Sequence, residues 1–319
     1  MLSRVAENLY WMSRYVERAE NAVRFLMEAF QLELEIGSDK DVVLRPLETV
    51  FRVLGCSEEY AETLHNHHGS VESIEKALHF MTFSRTGQKS ILAMISHARE
   101  NARTTQEVIS TEGWSRLNRC YLSLTKKTAP EQFANGEFRF YEKIKHQCML
   151  FTAIVEGTLP RTEAFHFLRV GRYLEQVCLM CRILRECSHY LPDGHGQTPY
   201  GPAVMMWTSV LRSCSGYEAF LRFSGERIDP SRVIGFLVLE EEFPRSMKFA
   251  VSRCLHSLQS IAGRQYRTEA ERQLGRLEGE LRYMNTEEII ALGLVPFLDR
   301  VEEICFSVSN DINQLYFSS

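Results

Sequence analysis

The chain is 319 residues long, 45% of its residues are hydrophobic, and its formal net charge is −4 at pH 7. This length suits one large domain or two ordinary ones, with enough apolar side chains for a packed core. Lysine and arginine are scattered rather than clustered, so the basic surface of a dedicated nucleic-acid-binding protein is missing. We therefore expect a globular protein that does not bind nucleic acid.

Cysteine usage and the N-terminal sequence predict a cytoplasmic protein. The nine cysteines are an odd number in a long chain, which is more typical of free thiols in a reducing compartment than of a disulfide framework. Arg4, Glu7 and Arg14 interrupt the first turns. No apolar run approaches the roughly 18 residues of a membrane span. We expect neither export nor membrane insertion.

Apolar residues recur at spacings of three and four through most of the chain, which predicts helices and almost no strand. The predicted helices of residues 1–136 cover 2–36, 46–54, 58–64, 70–83, 90–109 and a segment capped by Thr111. Those of residues 137–319 cover 137–155, 160–190, 203–214, 216–223, 231–239, 245–261, 268–291 and 295–316. Residues 233–239 are the one β-like run, and residues 126–136, which include Pro130, are the best linker candidate. The predicted fold class is all-α, a helical bundle.

A charged motif near the N-terminus recurs in the middle of the chain. The first copy contains Arg14, Tyr15, Glu17, Arg24 and Leu26, and the second, 158 residues later, contains Arg172, Tyr173, Glu175, Arg182 and Leu184. Cys56-Ser57 matches Cys214-Ser215 at the same offset, and Ser90 matches Ser246 at a shift two residues shorter. These matches predict an internal duplication, with halves 1–136 and 137–319 inside a single domain that spans 1–319.

The motif places charged side chains on one face of a helix. The first row consists of Arg14, Glu17, Glu20 and Arg24, with Tyr15 beside it, and the second row consists of Arg172, Glu175 and Arg182. Spacings of three and four keep such side chains in line. If the halves pack through these helices, both rows are buried near a pseudo-twofold axis. Either the rows form ion pairs that fix the packing, or they form a site that clamps a carboxylate or phosphate and uses a glutamate as acid or base.

A second candidate site lies in predicted helix 90–109. Arg99 and Arg103 are four residues apart and share a face, next to Glu100 and Asn101. The corresponding positions of the second half lack this cluster, and a function is more readily placed where two copies differ. A solvated helix face is the alternative interpretation.

The sequence predicts no metal site and no cofactor for this chain. His65, His67 and His68 are close together, and Cys178 and Cys181 form a single Cys-x-x-Cys pair, whereas a structural zinc site needs four ligands. We expect the cysteines to be core residues and the histidines loop residues. No glycine-rich phosphate loop and no Gly-x-Ser-x-Gly nucleophile elbow occurs.

The N-terminal sequence carries a family resemblance. Residues 1–21 read MLSRVAENLYWMSRYVERAEN, and with residues 98–103, 109–114, 170–175 and 243–246 they resemble the bacterial Alpha-E family, helical proteins named for their glutamate motifs. The likeness covers essentially the whole chain, and its N-terminal stretch is highly specific. Where relatives continue Glu-Arg-Ala in the second motif, this sequence has Glu175-Gln176-Val177.

The resemblance implies a context rather than a reaction. Family members are encoded beside, or fused to, a circularly permuted ATP-grasp protein, often with a transglutaminase-like peptidase and sometimes with a proteasome-like peptidase. Such gene clusters are inferred to make or process amide-linked peptides. The implied role is a non-catalytic subunit that binds the ATP-grasp amide ligase and its peptide or amino-acid substrate. ATP and Mg²⁺ would then belong to the partner.

In that role Arg14, Arg99 and Arg103 would grip a carboxylate, and Glu17 and Glu20 would receive an amine. One alternative is an enzyme in its own right, in which Glu17 or Glu20 is the general base of an amide-forming or amide-breaking step. The other is a purely structural helical scaffold. The sequence leaves the oligomeric state open, a homo-oligomer included.

Overall fold

A computed structural model describes residues 1–36, 46–58, 61, 71–85, 89–191, 201–225, 227–263 and 268–318. Helices dominate this part of the chain, and no strand occurs in it, which confirms the all-α prediction. The β-like run at residues 233–239 lies in a helix. Predicted helix 58–64 and the histidine loop that follows it fall almost entirely outside the described residues.

The helices are numbered in chain order. The first eight are α1 (Ser3–Ile36), α2 (Pro46–Leu54), α3 (Val71–Phe83), α4 (Ile91–Thr104), α5 (Thr111–Thr125), α6 (Ala129–Ala134), α7 (Glu137–Thr158) and α8 (Glu163–Cys187). The next seven are α9 (Pro202–Ser213), α10 (Tyr217–Ser224), α11 (Pro230–Leu239), α12 (Met247–Ala262), α13 (Glu269–Tyr283), α14 (Thr286–Leu292) and α15 (Leu294–Ile312). A 3₁₀ turn, Ser188–Tyr190, continues α8, and a π turn, Asn313–Phe317, continues α15.

The described chain divides into two compact units. The first unit comprises Met1–Glu33 and Arg45–Gly171, and the second comprises Leu34–Leu44 and Arg172–Ser319. The division between Gly171 and Arg172 lies within α8. The duplication and the halves 1–136 and 137–319 stay predictions.

The segment predicted as a linker, residues 126–136, instead contains α6 in the first unit. Pro130 lies in the first turn of α6, where its missing N–H costs no helical hydrogen bond. Phe133 is 3% exposed, and its ring contacts the rings of Phe83 and Phe140 at 5.5 Å. Because this aromatic contact anchors α6 to α3 and α7, the segment is part of the packed unit.

Helix α4 ends five residues before the predicted boundary at residue 109. Thr104 and Thr105 each donate a side-chain hydrogen bond to the carbonyl of Asn101, which competes with continuation of the helix. The N-cap of α5 is Ser110 rather than the predicted Thr111, because Ser110 Oγ accepts the N–H of Gly113 at 3.1 Å.

In the second unit, α13 packs against both α12 and α15, and Trp207, Phe220 and Phe297 are fully buried. The helix predicted over 268–291 is two helices, because Asn285 caps α14 and forms a capping box with Glu288. All nine cysteines of the chain are buried and outside disulfides. None of the helices in the described ranges is long and apolar enough to cross a membrane.

Candidate functional site

The charged row of α1 is buried in the first unit. The exposed fractions are 9% for Arg14, 1% for Glu17, 3% for Glu20 and 8% for Arg24. Apolar residues of the same helix, such as Leu26, are fully buried as well, so α1 buries both its apolar stripe and this row. A charged group at such depth needs partners to offset its lost hydration.

Part of that compensation comes from α1 itself. Arg24 donates from Nε and Nη2 to Glu20 Oε1, at 3.1 and 2.9 Å, in an i, i+4 ion pair. Asn21 Nδ2 donates to Glu17 Oε1 at 2.8 Å. The guanidinium of Arg14 donates to the Tyr10 hydroxyl at 2.7 Å.

Helix α7 contacts the last residue of the charged row. Arg24 Nη2 approaches Met149 Sδ at 3.3 Å. The pKa of the Cys148 thiol is raised well above its ordinary value, first by its hydrogen bond with Cys120, then by burial, and further by the negative charges of Glu20 and Glu17. The surroundings of the α1 carboxylates are therefore dry and partly sulfur-lined, which favours ion pairing over solvation.

Aromatic rings connect α1 to α4. The Arg14 guanidinium lies over the Trp11 ring at 5.1 Å. The Tyr15 ring stacks on the His97 ring, with centroids 5.0 Å apart. Tyr15, predicted to bind substrate, therefore has a clear packing role in the first unit.

The α4 cluster is more accessible than the α1 row. The side chain of Arg99 is 23% exposed, that of Glu100 49% and that of Arg103 55%. Arg99 Nη1 donates to Glu100 Oε1 at 2.5 Å, and Arg103 Nε donates to Glu100 Oε2 at 2.8 Å. The hydrogen bond from Arg103 is the main cause that lowers the pKa of Glu100. Two guanidiniums thus share one carboxylate at the surface.

Three residues of α5 hold Arg99 in place. Its Nε donates to Asn118 Oδ1 at 2.9 Å. Its guanidinium lies over the rings of Trp114 and Tyr121, at 5.5 and 4.7 Å. A desolvated face combined with a fixed hydrogen bond restricts the rotamers of this arginine, which pre-organises it for an anionic ligand.

A model of the Alpha-E family, described as a predicted alpha-helical domain with a conserved ER motif, matches residues 1–317. The chain belongs to the Alpha-E family. Glu17-Arg18 of this Alpha-E protein is a Glu-Arg pair, in which Glu17 belongs to the buried row of α1 and Arg18 is half-buried. No curated protein and no solved structure matches the chain.

In this Alpha-E protein the predicted site residues of the first unit lie in two separate groups. His97 faces Tyr15 of α1, whereas Arg99, two positions later and about 200° round the helix, faces α5. Arg99 and Arg103 therefore form a group distinct from Arg14. Asn101 contributes its backbone carbonyl to the end of α4.

The second unit contains the remaining predicted residues. Glu175 is fully buried, and the Arg172 guanidinium lies over the Tyr173 ring at 5.4 Å. Arg182, the counterpart of Arg24 in the predicted repeat, pairs with Glu302 of α15 at 3.0 Å. Its partner therefore lies on another helix, in contrast to the Arg24 pair within α1. The prediction that the two charged rows meet stays a prediction.

Sequence reasoning missed the α5 residues that position Arg99. Trp114, Asn118 and Tyr121 recur at spacings of four and three, which places them on one helix face. That spacing was the available signal, but the partner helix cannot be identified from spacing alone. In the described part of the chain, no group of three or more potential ligands has a geometry that holds a metal ion.

Proposed function

We propose that this Alpha-E protein is a non-catalytic subunit of an ATP-grasp amide-ligase system and that Arg99 and Arg103 hold the carboxylate of the ligase's peptide or amino-acid substrate. The ligase as partner is supported by the gene context that the family resemblance implies, and a transglutaminase-like peptidase is a further partner on the same ground. ATP and Mg²⁺ would bind to the ligase.

The observation that carries the substrate role is the pair of guanidiniums on Glu100. Arg99 serves one oxygen of that carboxylate and Arg103 the other, so the pair already has the spacing for a carboxylate. Glu100 is half exposed and belongs to the same helix turn. A substrate carboxylate can therefore replace it when its side chain rotates into water, at the cost of a weak surface ion pair.

The rigidity of Arg99 supports the same role. Because Trp114, Asn118 and Tyr121 already restrict this side chain, binding loses less rotamer entropy there than at a free arginine. Arginine, tryptophan and tyrosine are also the residue types that contribute most to protein interfaces. Arg103, which is more exposed, provides the adjustable second contact.

A binding measurement tests the substrate role. The probe is a trialanine peptide, acetylated at its N-terminus, with either a free carboxylate or an amide at its C-terminus, titrated calorimetrically. We expect the carboxylate form to bind more tightly. Arg103→Gln should weaken that form by about 1 kcal/mol, roughly fivefold. Arg139→Gln, an exposed arginine at the start of α7, is the matched control. Equal affinity for acid and amide would remove the proposed carboxylate site.

The α1 row favours a structural role for its own residues. Its side chains are at most 9% exposed, and Arg24 with Glu20, and Asn21 with Glu17, satisfy one another within the helix. A general acid or base must come within hydrogen-bond reach of its substrate, and Glu17 is 1% exposed. Turnover of peptides or amino acids by the isolated chain, without any ATP-grasp protein, would instead support the enzyme alternative.

A further inference from the structure

The second unit contains a cavity that the proposed function does not use. It lies where the end of α12, the start of α13 and the end of α15 come together, and its volume is about 660 Å³. That volume is within the range of small-molecule sites in proteins. Its apolar wall includes Ile261, Ala262, Ile312 and Leu315.

Asp311 brings to this wall a negative charge that no described residue compensates in an ion pair. Its Oδ2 is buried and has no hydrogen-bond partner, and within the described residues Asp311 forms no ion pair. It lies in the last turn of α15, which contains no basic residue, so its charge adds to the negative end of the helix dipole. Burial, followed by the charge of Glu269, raises the pKa of the Asp311 carboxyl. Each of these features favours binding of a cation next to the Asp311 carboxylate.

The other charged groups of the wall neutralise each other. Glu269 pairs with Arg272 at 2.7 Å across one turn of α13, and the hydrogen bond from Arg272 is the main cause that lowers the pKa of Glu269. Glu269 therefore keeps its charge and has its cation already. Among the described residues of the wall, the net charge is therefore that of Asp311.

The backbone beside Asp311 is unusual. Residues 313–317 form a π turn, in which Ser318 N donates to the carbonyl of Asn313 at 3.1 Å. π turns are rare and occur frequently at functional sites. This one places Gln314, Leu315 and Tyr316 in the wall of the cavity, and Leu315 remains 52% exposed.

We propose that this cavity binds a small organic cation, a primary ammonium group on an apolar body, with the ammonium on the Asp311 carboxylate and the body against Ile261, Ile312 and Leu315. An ammonium group donates the hydrogen bonds that the carboxylate lacks and offsets its charge at the helix end. A carboxylate alone would also attract an inorganic cation, but the apolar wall selects a ligand with a hydrocarbon body. The inference is independent of the ligase and of Arg99 and Arg103.

Titration with 2-phenylethylamine and its neutral analogue 2-phenylethanol tests this proposal, because the two probes have nearly the same shape and differ in charge. We expect the amine to bind to the full chain at least tenfold more tightly than the alcohol. Asp311→Asn should weaken amine binding at least tenfold and leave alcohol binding unchanged. Asp299→Asn is the matched control, because it makes the same change in an exposed residue of α15 that pairs with Arg185.

Asp311→Asn removes a charge that burial disfavours, so this variant is expected to fold, and its circular dichroism and melting curve establish that. Equal binding of amine and alcohol would overturn the proposal, and so would equal amine affinity in Asp311→Asn and wild type. No binding of the amine up to its solubility limit would overturn it as well. None of these results bears on the carboxylate probe of the first unit.

Discussion

Replacing Gly171 by alanine tests the packing on which the first unit depends. Gly171 lies in α8, and a Cβ at this position would be 2.2 Å from the carbonyl oxygen of Tyr10 and 2.5 Å from Ser13 Oγ. Ser13 Oγ already donates to that same carbonyl at 3.0 Å. Both neighbours belong to α1, a few residues before the charged row, so the substitution pushes α1 and this part of α8 apart.

The magnitude follows from the contact distances. A carbon and a carbonyl oxygen pack at about 3.3 Å or more, so the 2.2 Å contact requires a shift of roughly 1 Å. Overpacking of this kind costs about 1–3 kcal/mol. The upper end of this range applies because the added Cβ clashes with the Tyr10 backbone carbonyl, which cannot rotate away as a side chain can. Alanine regains about 1 kcal/mol of helix propensity over glycine. The expected net loss is therefore about 2 kcal/mol.

Urea unfolding followed by circular dichroism at a helix band measures this loss. Gly275→Ala is the control, because Gly275 is also inside a helix, α13, and a Cβ there meets nothing within 4 Å. The control should gain about 0.5–1 kcal/mol from helix propensity alone. If Gly171→Ala were as stable as wild type, or gained stability as the control does, the close approach of α8 to α1 would be refuted.

Four further predictions concern the first unit. Arg24→Met should lower the free energy of unfolding, measured in urea, by about 3–5 kcal/mol, because it removes the guanidinium that donates two hydrogen bonds to the buried Glu20 carboxylate. Adding Glu20→Leu should recover most of that loss, and an equal loss in the double variant would contradict this. Glu100→Gln should tighten binding of the carboxylate peptide severalfold, because it removes the anion that Arg103 holds. The pKa of Glu100 is lower in the folded protein than in the unfolded one. Any stability that its ion pairs add is therefore present above the unfolded pKa and lost as the pH falls through the folded pKa. A difference in unfolding free energy between wild type and Glu100→Gln that grows toward acidic pH would contradict this. Gly55→Ala should cost about 1 kcal/mol, because Gly55 has φ +70 after α2; unchanged melting would show that the turn adapts.

The helices were predictable where the apolar period is long and uninterrupted. Helix α1 was predicted over 2–36 and is observed as Ser3–Ile36, because its apolar residues repeat over more than nine turns. The breaks were harder to predict. Asn285 divides residues 268–291 into two helices by a side-chain cap, and such a cap competes with helix continuation by only about 1 kcal/mol.

Two serines that the predicted repeat matches make the same local hydrogen bonds, and the repeat itself stays a prediction. Ser90 and Ser246 each accept the N–H of the residue three positions later, at 3.1 Å, and each donates to a carbonyl six positions earlier. The left-handed residues after α2 and α9 are Gly55 and Ser215, with φ of 70 and 51, and they are 160 rather than 158 residues apart. The earlier match of Cys56 to Cys214 therefore joins positions of different local geometry.

The candidate site was predictable in residue type but not in arrangement. The spacing of Arg99 and Arg103 correctly indicated a shared face. It could not show that the rings of Trp114 and Tyr121 in α5 pack against Arg99, because tertiary packing determines which helices face each other. In the same way, the spacing of Arg14, Glu17 and Glu20 predicted one row that packing could bury, but the partners of that row, such as Met149 of α7, could not be predicted from spacing.

The most direct test of the proposed subunit role is the rate of ATP-dependent amide formation by the proposed ATP-grasp partner, measured with and without this chain. We predict that wild type and Arg139→Gln accelerate the reaction and that Arg103→Gln loses most of the acceleration at limiting substrate. Full ligase activity without the chain, or equal acceleration by Arg103→Gln and wild type, would contradict the account.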